Sequence, residues 1–133
     1  MANTLRILFV DDHPDTVRGM SRFLLHAGFP VEGTYGVGMA LRILRESGPF
    51  DVVIADMGMA DGSGIDLVGR IRGGVTETPS TGTQRNVFFI LYTFFSEEEN
   101  FRRHGIDKWV TKPNVLELVG ILESLREHER GRS

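Results

Sequence analysis

Four short apolar runs along this chain each stop at a polar or charged residue. Ile7-Leu8-Phe9-Val10 ends at Asp11-Asp12, and Val52-Val53-Ile54-Ala55 ends at Asp56. Val87 to Tyr92 ends at Thr93, and Trp109-Val110-Thr111 ends at Lys112-Pro113. Continuous β-branched and aliphatic runs read as strands buried on both faces, as in a parallel sheet. The predicted strands are Leu5 to Val10, Asp51 to Asp56, Val87 to Tyr92 and Lys108 to Thr111, with Val31 to Tyr35 as a weaker one.

Helical spacing fills the gaps. Pro14 suits a first helical turn, and Val17, Met20, Phe23, Leu24 and Ala27 would form its inner face until Gly28 ends it, with Phe29 closing over the end. A second helix is predicted from about Gly38 to Glu46, with Met39, Ala40, Ile43 and Leu44 inward and Gly48-Pro49 as its stop. A third runs from about Ser63 to Arg72, with Ile65, Val68 and Ile71 inward. Ser96 and Glu99 have the spacing of a capping box, which predicts a short helix ending at Gly105. Asn114 with Glu117 caps a last helix whose apolar positions are Val115, Leu118, Val119, Leu122 and Leu125. The segment from Gly73 to Asn86 has no period and reads as an exposed, mobile loop. The tail from Arg126 is charged and expected to fray. Five strands alternating with five helices predict an α/β fold, a doubly wound parallel sheet, because each parallel crossover needs a covering helix.

Composition narrows the function more than the fold. A chain of 133 residues suits one domain with a real core, here about residues 4–126. A net charge of −3 argues against a large nucleic-acid surface, which needs a basic excess. The chain has no cysteine, which removes disulfides and thiolate metal sites and is compatible with the cytosol. No apolar run approaches the length of a membrane span, and no signal-peptide pattern opens the chain. The expectation is a cytoplasmic protein that binds neither membrane nor nucleic acid.

The strand ends carry the candidate chemistry. An acid at the carboxyl end of a buried parallel strand sits where open α/β sheets place their ligands. Asp11, Asp12 and Asp56 would repel one another unless a cation compensates, and Mg²⁺ suits such hard oxygen ligands. Helix capping by Asp11, Asp12 and Asp15 explains the first two acids equally well. Asp56 alone reads as a metal ligand, a loop cap, or a nucleophile that could form an aspartyl phosphate. Thr93 alone would bond a neighbouring carbonyl, and Lys112 alone would be a solvated surface group. Taken together, the acids, a hydroxyl and an ammonium at successive strand ends favour one phosphoryl-binding pocket. Gly36-Val37-Gly38 lacks the third glycine of a dinucleotide fingerprint. His13, His26, His104 and His128 show no ligand spacing, and Trp109 reads as core at the sheet edge.

In this order and spacing, these residues resemble the receiver domain of two-component response regulators over essentially the whole chain. The loop Asp61-Gly62-Ser63-Gly64-Ile65-Asp66-Leu67 is similar to that family's approach to its third helix. The resemblance implies a flavodoxin-like receiver that is not a conventional enzyme, with Asp56 as phosphoacceptor. It implies that Asp11, Asp12, Asp56 and the Gly58 carbonyl hold Mg²⁺, that Thr93 and Lys112 contact the phosphoryl oxygens, and that the Lys112-Pro113 peptide is cis. Trp109 stands at the aromatic switch position and would respond with Thr93 to phosphorylation. The implied donor is a sensor histidine kinase or phosphotransfer protein, and the implied output a downstream protein, an effector domain or a phosphorylation-dependent dimer. Phe94 stands where the family prefers Ala or Gly, which predicts a crowded phosphoryl site. Two other classes compete: a receiver-like scaffold that is never phosphorylated, and a Mg²⁺-dependent phosphohydrolase. The second wants an acid two residues after its nucleophile, and that position is Gly58.

Overall fold

The computed structural model describes residues 5–82 and 84–131. Its elements are β1 (Ile7–Val10), α1 (Pro14–His26), β2 (Val31–Thr34), α2 (Val37–Ser47), β3 (Val52–Ala55), β4 (Gly58–Met59), β5 (Gly62–Ser63), α3 (Gly64–Arg72), β6 (Phe88–Thr93), β7 (Lys108–Thr111) and α4 (Val115–Gly131). A 3₁₀ turn at Phe101–His104 precedes β7. Five strands form one parallel sheet in the order β2-β1-β3-β6-β7, while β4 and β5 pair as a two-residue antiparallel hairpin. The chain leaves β1 for one edge and returns through β3 to build toward the other, so the strand order reverses between β1 and β3.

The buried runs pack as predicted, alternating between the two faces of the sheet. On one face Ile7, Phe9, Val52, Ile54, Ile90, Tyr92 and Val110 meet Val17 and Leu24 of α1 and Leu118 and Leu122 of α4. On the other, Leu8, Val10, Val53, Ala55, Phe89, Leu91 and Trp109 meet Ala40 and Leu44 of α2 and Leu67, Val68 and Ile71 of α3. A strand covered on both sides has no polar face, which is why the sequence shows runs and not alternation.

Local signals set the helix ends. Gly28 takes a left-handed φ of 96° after α1, and the Phe29 amide donates back to the Leu24 carbonyl at 2.7 Å. The Ser63 hydroxyl accepts the Asp66 amide at 3.0 Å and starts α3. Asn114 and Glu117 cap each other at α4, both contacts at 3.2 Å.

Several expectations fail. No α-helix starts at Ser96: residues 94–100 are all exposed, and Asn100 adopts a left-handed φ of 59°. Three consecutive glutamates offer no apolar stripe to bury, and a short helix without one is unstable. Among the described residues there are therefore four α-helices and one 3₁₀ turn in place of five helices. α2 begins at Val37, which sets its inner line as Val37, Ala40 and Leu44 and leaves Met39 52% exposed. Phe23 of α1 also faces outward.

The 73–86 segment is not a free loop. Thr76, Thr81 and Gln84 are buried, Gln84 Nε2 donates to the Leu44 and Thr76 carbonyls at 2.7 and 3.1 Å, and Glu77 accepts from Arg85 through both carboxylate oxygens. Polar side chains substitute here for the absent period. α4 runs past Arg126 to Gly131, with the Arg126 guanidinium 4.3 Å from the Phe29 ring centroid; the end of the tail expected to fray, residues 132–133, lies outside the described residues.

Candidate functional site at the carboxyl edge of the sheet

Backbone pairing continues past the strands and draws their ends together. The Asp11 amide donates to the Thr34 carbonyl at 3.1 Å, the Asp56 amide to Val10 at 3.2 Å, and the Lys112 amide to Thr93 at 2.7 Å. Asp11, Asp56, Thr93 and Lys112 therefore stand at adjacent positions along one edge. The Lys112-Pro113 peptide is cis, as is Gly48-Pro49.

The Lys112 ammonium is the centre of the cluster. Its Nζ donates to Asp11 Oδ2 at 2.8 Å and to Asp56 Oδ2 at 3.0 Å. The rings of Tyr92 and Phe94 flank it, with centroids 5.6 and 5.4 Å away. Burial opposes the Lys112 charge, but the two carboxylates outweigh it and hold the amine above its ordinary value. Asp11 is 1% exposed. Burial pushes its carboxyl up, yet Lys112 and the amide and ring of His13 bring it below the usual carboxylate range. Burial raises the Tyr92 phenol.

The remaining oxygens face a second partner. Asp56 Oδ1 accepts the Met57 amide at 2.7 Å. Asp12 Oδ2 accepts the Ala60 amide at 2.8 Å, which ties the start of α1 to the loop after β3. Asp12 Oδ1 is buried with no hydrogen-bond partner, although His13 Nδ1 lies 3.1 Å from it. The same nitrogen lies 3.0 Å from Asp11 Oδ1, and the two acids hold the imidazole above its ordinary pKa. One donor atom each from Asp11, His13 and Asp56 fall within 4.8 Å of one another. Hard carboxylate oxygens with one buried orphan among them fit a divalent cation.

His13 was the residue that sequence reasoning missed. Its spacing gave no ligand signal beyond standing directly after the acid pair at a helix start. Gly58 is exposed at the first position of the β4–β5 hairpin. Phe94 does not fill the pocket: its ring is 74% exposed and lies outside the Lys112 ammonium.

Thr93 and Trp109 are linked through Phe95. The Phe95 amide donates to Thr93 Oγ1 at 3.4 Å, and the Phe95 carbonyl accepts Trp109 Nε1–H at 3.1 Å. The indole is buried and packs on Phe101, ring centroids 6.0 Å apart.

Asp61 positions the far side of the site. Its carboxylate accepts the Val37 and Gly38 amides at 2.8 and 2.9 Å, capping α2 from the loop after β3. These amides hold it below the ordinary carboxylate value. A β-carbon at Gly36 would meet Asp61 Oδ1 at 2.8 Å, so the close approach needs glycine there.

A three-layered α/β/α domain with acids and a lysine gathered at the strand-order reversal defines a flavodoxin-like receiver. The chain belongs to the response regulator receiver domain family, whose model matches residues 7–123, and it is thus a receiver domain of the two-component type. It is 36% identical over 108 residues to the transcriptional regulatory protein KdpE of Mycobacterium tuberculosis, covering 80% of this chain and 44% of KdpE. It therefore spans less than half the length of that relative. The fold is similar to that of the response regulator TrrA of Thermotoga maritima in complex with Mg²⁺-BeF, with TM-score 0.76 and 27% identity over 92% of this chain and 99% of TrrA. TrrA in complex with the histidine kinase ThkA matches with TM-score 0.75, 27% identity, and 92% and 98% coverage. Among the described residues, no helix is long and apolar enough to cross a membrane.

Proposed function

We propose that this receiver accepts a phosphoryl group on Asp56 from a histidine kinase or phosphotransfer protein. The observation that carries the reading is Lys112 bridging Asp11 and Asp56 at the carboxyl edge of the sheet. An Asp56 carboxylate oxygen attacks phosphorus, the bond to the donor's leaving group breaks, and the leaving group keeps the electron pair. Lys112 is the cation in the pocket that can follow the charge from the Asp56 carboxylate onto the transferred oxygens. Thr93, whose hydroxyl accepts the Phe95 amide at 3.4 Å, would turn toward the new dianion. Asp11, Asp12, Asp56 and the Gly58 carbonyl would hold Mg²⁺, and this ion supplies charge neutralisation at the phosphoryl oxygens. Such a chain catalyses only its own phosphorylation and dephosphorylation.

Movement of Thr93 would shift the Phe95 backbone and so change the partner of the Trp109 indole. That is a population shift between two packings, biased by the phosphoryl group. It would remodel the face formed by residues 94–105, β7 and α4 for a downstream protein, an effector domain or a second copy. The capture of TrrA with ThkA supports a kinase as donor. The site lies in the cytoplasm under this reading.

The test is direct. Incubation with Mg²⁺ and acetyl phosphate, followed by intact-mass measurement, should show one added phosphoryl group that disappears in Asp56→Asn. Persistent labelling in the variant removes Asp56 as acceptor. No labelling of the wild type leaves the unphosphorylated scaffold.

A further inference from the structure

We propose that His13 is a nitrogen ligand of the divalent-cation site, so that the site favours first-row transition ions such as Co²⁺, Ni²⁺ and Zn²⁺ more than carboxylates alone would. The inference rests on the reading of Asp11, Asp12 and Asp56 as cation ligands.

Spacing carries the argument. In an octahedral site with bonds of about 2.1 Å, neighbouring donor atoms lie about 3.0 Å apart. His13 Nδ1 already stands 3.0 Å from Asp11 Oδ1 and 3.1 Å from Asp12 Oδ1. The Asp12 oxygen is the buried one that no hydrogen bond satisfies. The two oxygens of Asp11 divide the work: Oδ2 faces the Lys112 ammonium, and Oδ1 faces the imidazole. Phosphoryl-side and cation-side contacts are thus on opposite atoms of one carboxylate.

Helix capping does not account for the His13 ring, whose Nδ1 stands against Asp11 and Asp12. His13 is the N-cap residue of α1, but its side chain makes no capping hydrogen bond. The ring is 70% exposed, with Nδ1 on the side of the two acids. Imidazole adds little for Mg²⁺, which prefers oxygen, whereas it strengthens binding of cobalt, nickel and zinc ions.

Calorimetric titration of the full chain at one fixed pH tests this, with Mg²⁺ and Co²⁺ against wild type and His13→Ala. The Co²⁺ dissociation constant should rise about tenfold or more in the variant, while that for Mg²⁺ changes by less than about threefold. Equal weakening of both ions, tighter binding of both, or no change overturns the ligand role. A second measurement needs no variant: Zn²⁺ should move the ¹⁵N resonance of His13 Nδ1, and an unmoved resonance overturns the assignment. A wild-type chain that binds neither ion overturns the cation site itself. Equal binding of both ions with or without His13 overturns the ligand role alone.

Discussion

Lys112 is held between two carboxylates and two aromatic rings, and Phe94 is the member of that set open to solvent. An exposed cation–π contact contributes about 0.5–1 kcal/mol. Phe94→Ala should therefore free Lys112 and speed phosphoryl gain, loss or both by about two- to fivefold. Stopped-flow fluorescence during acetyl phosphate labelling would read this, and unchanged rates would mean that the ring exerts no hold on the ammonium. At this scale the sequence was informative where several residue types converged. Asp56, Thr93 and Lys112 each had a bland reading, and their common placement at strand ends raised the sharper one. His13 was not legible, because a histidine after two acids looks like any helix-start residue until the ring is seen beside both carboxylates. Phe94 was legible as an anomaly, but the direction of its ring depends on the irregular backbone that follows Thr93.

Elements whose apolar spacing was regular were read correctly in kind and place, although Met39 of α2 and Phe23 of α1 face outward, and the larger failures lie where side-chain polarity does the packing. The 73–86 segment shows this. Glu77 accepts from the Arg85 guanidinium and from the Arg85 and Gln84 amides, which lowers its pKa from 4.5 to about 2. A group depressed in the folded state binds its proton first in the unfolded chain as pH falls. Its stabilisation is thus complete above pH 4.5 and lost as pH falls through about 2. Thermal melts should show Glu77→Gln less stable than wild type near neutrality, with the gap closing across that acid range. A gap constant with pH would mean that the carboxylate charge is not what holds the segment. Composition rich in Gly, Thr and Ser could not announce this, because the contacts are specific pairs and not a pattern. The missing helix after Ser96 is the converse: the capping box was legible, yet a cap without an apolar face beneath it does not make a helix.

At the scale of the whole molecule, two layers of helix clamp a sheet whose carboxyl edge gathers chemistry from residues a hundred positions apart. Under the proposed function, long-range communication would run through Thr93, Phe95 and Trp109, and the chain has a single tryptophan. Phosphorylation of the wild type should change its emission. Thr93→Val removes the acceptor for the Phe95 amide, so Asp56 should still be labelled while the emission change falls to a small fraction. An undiminished signal in that variant would break the proposed link. The doubly wound parallel sheet was legible from the runs and their crossovers; the proposed coupling was not, since it depends on one backbone carbonyl meeting one indole. Asp61 has a consequence for chimeras built among such domains. Its carboxylate, in the turn between β4 and β5, is the head-piece of a helix that begins twenty-four positions earlier. A loop transplanted from a cousin without an acid there would leave α2 uncapped, and a host lacking glycine at 36 would refuse the graft. Donor and recipient must be exchanged as a matched pair.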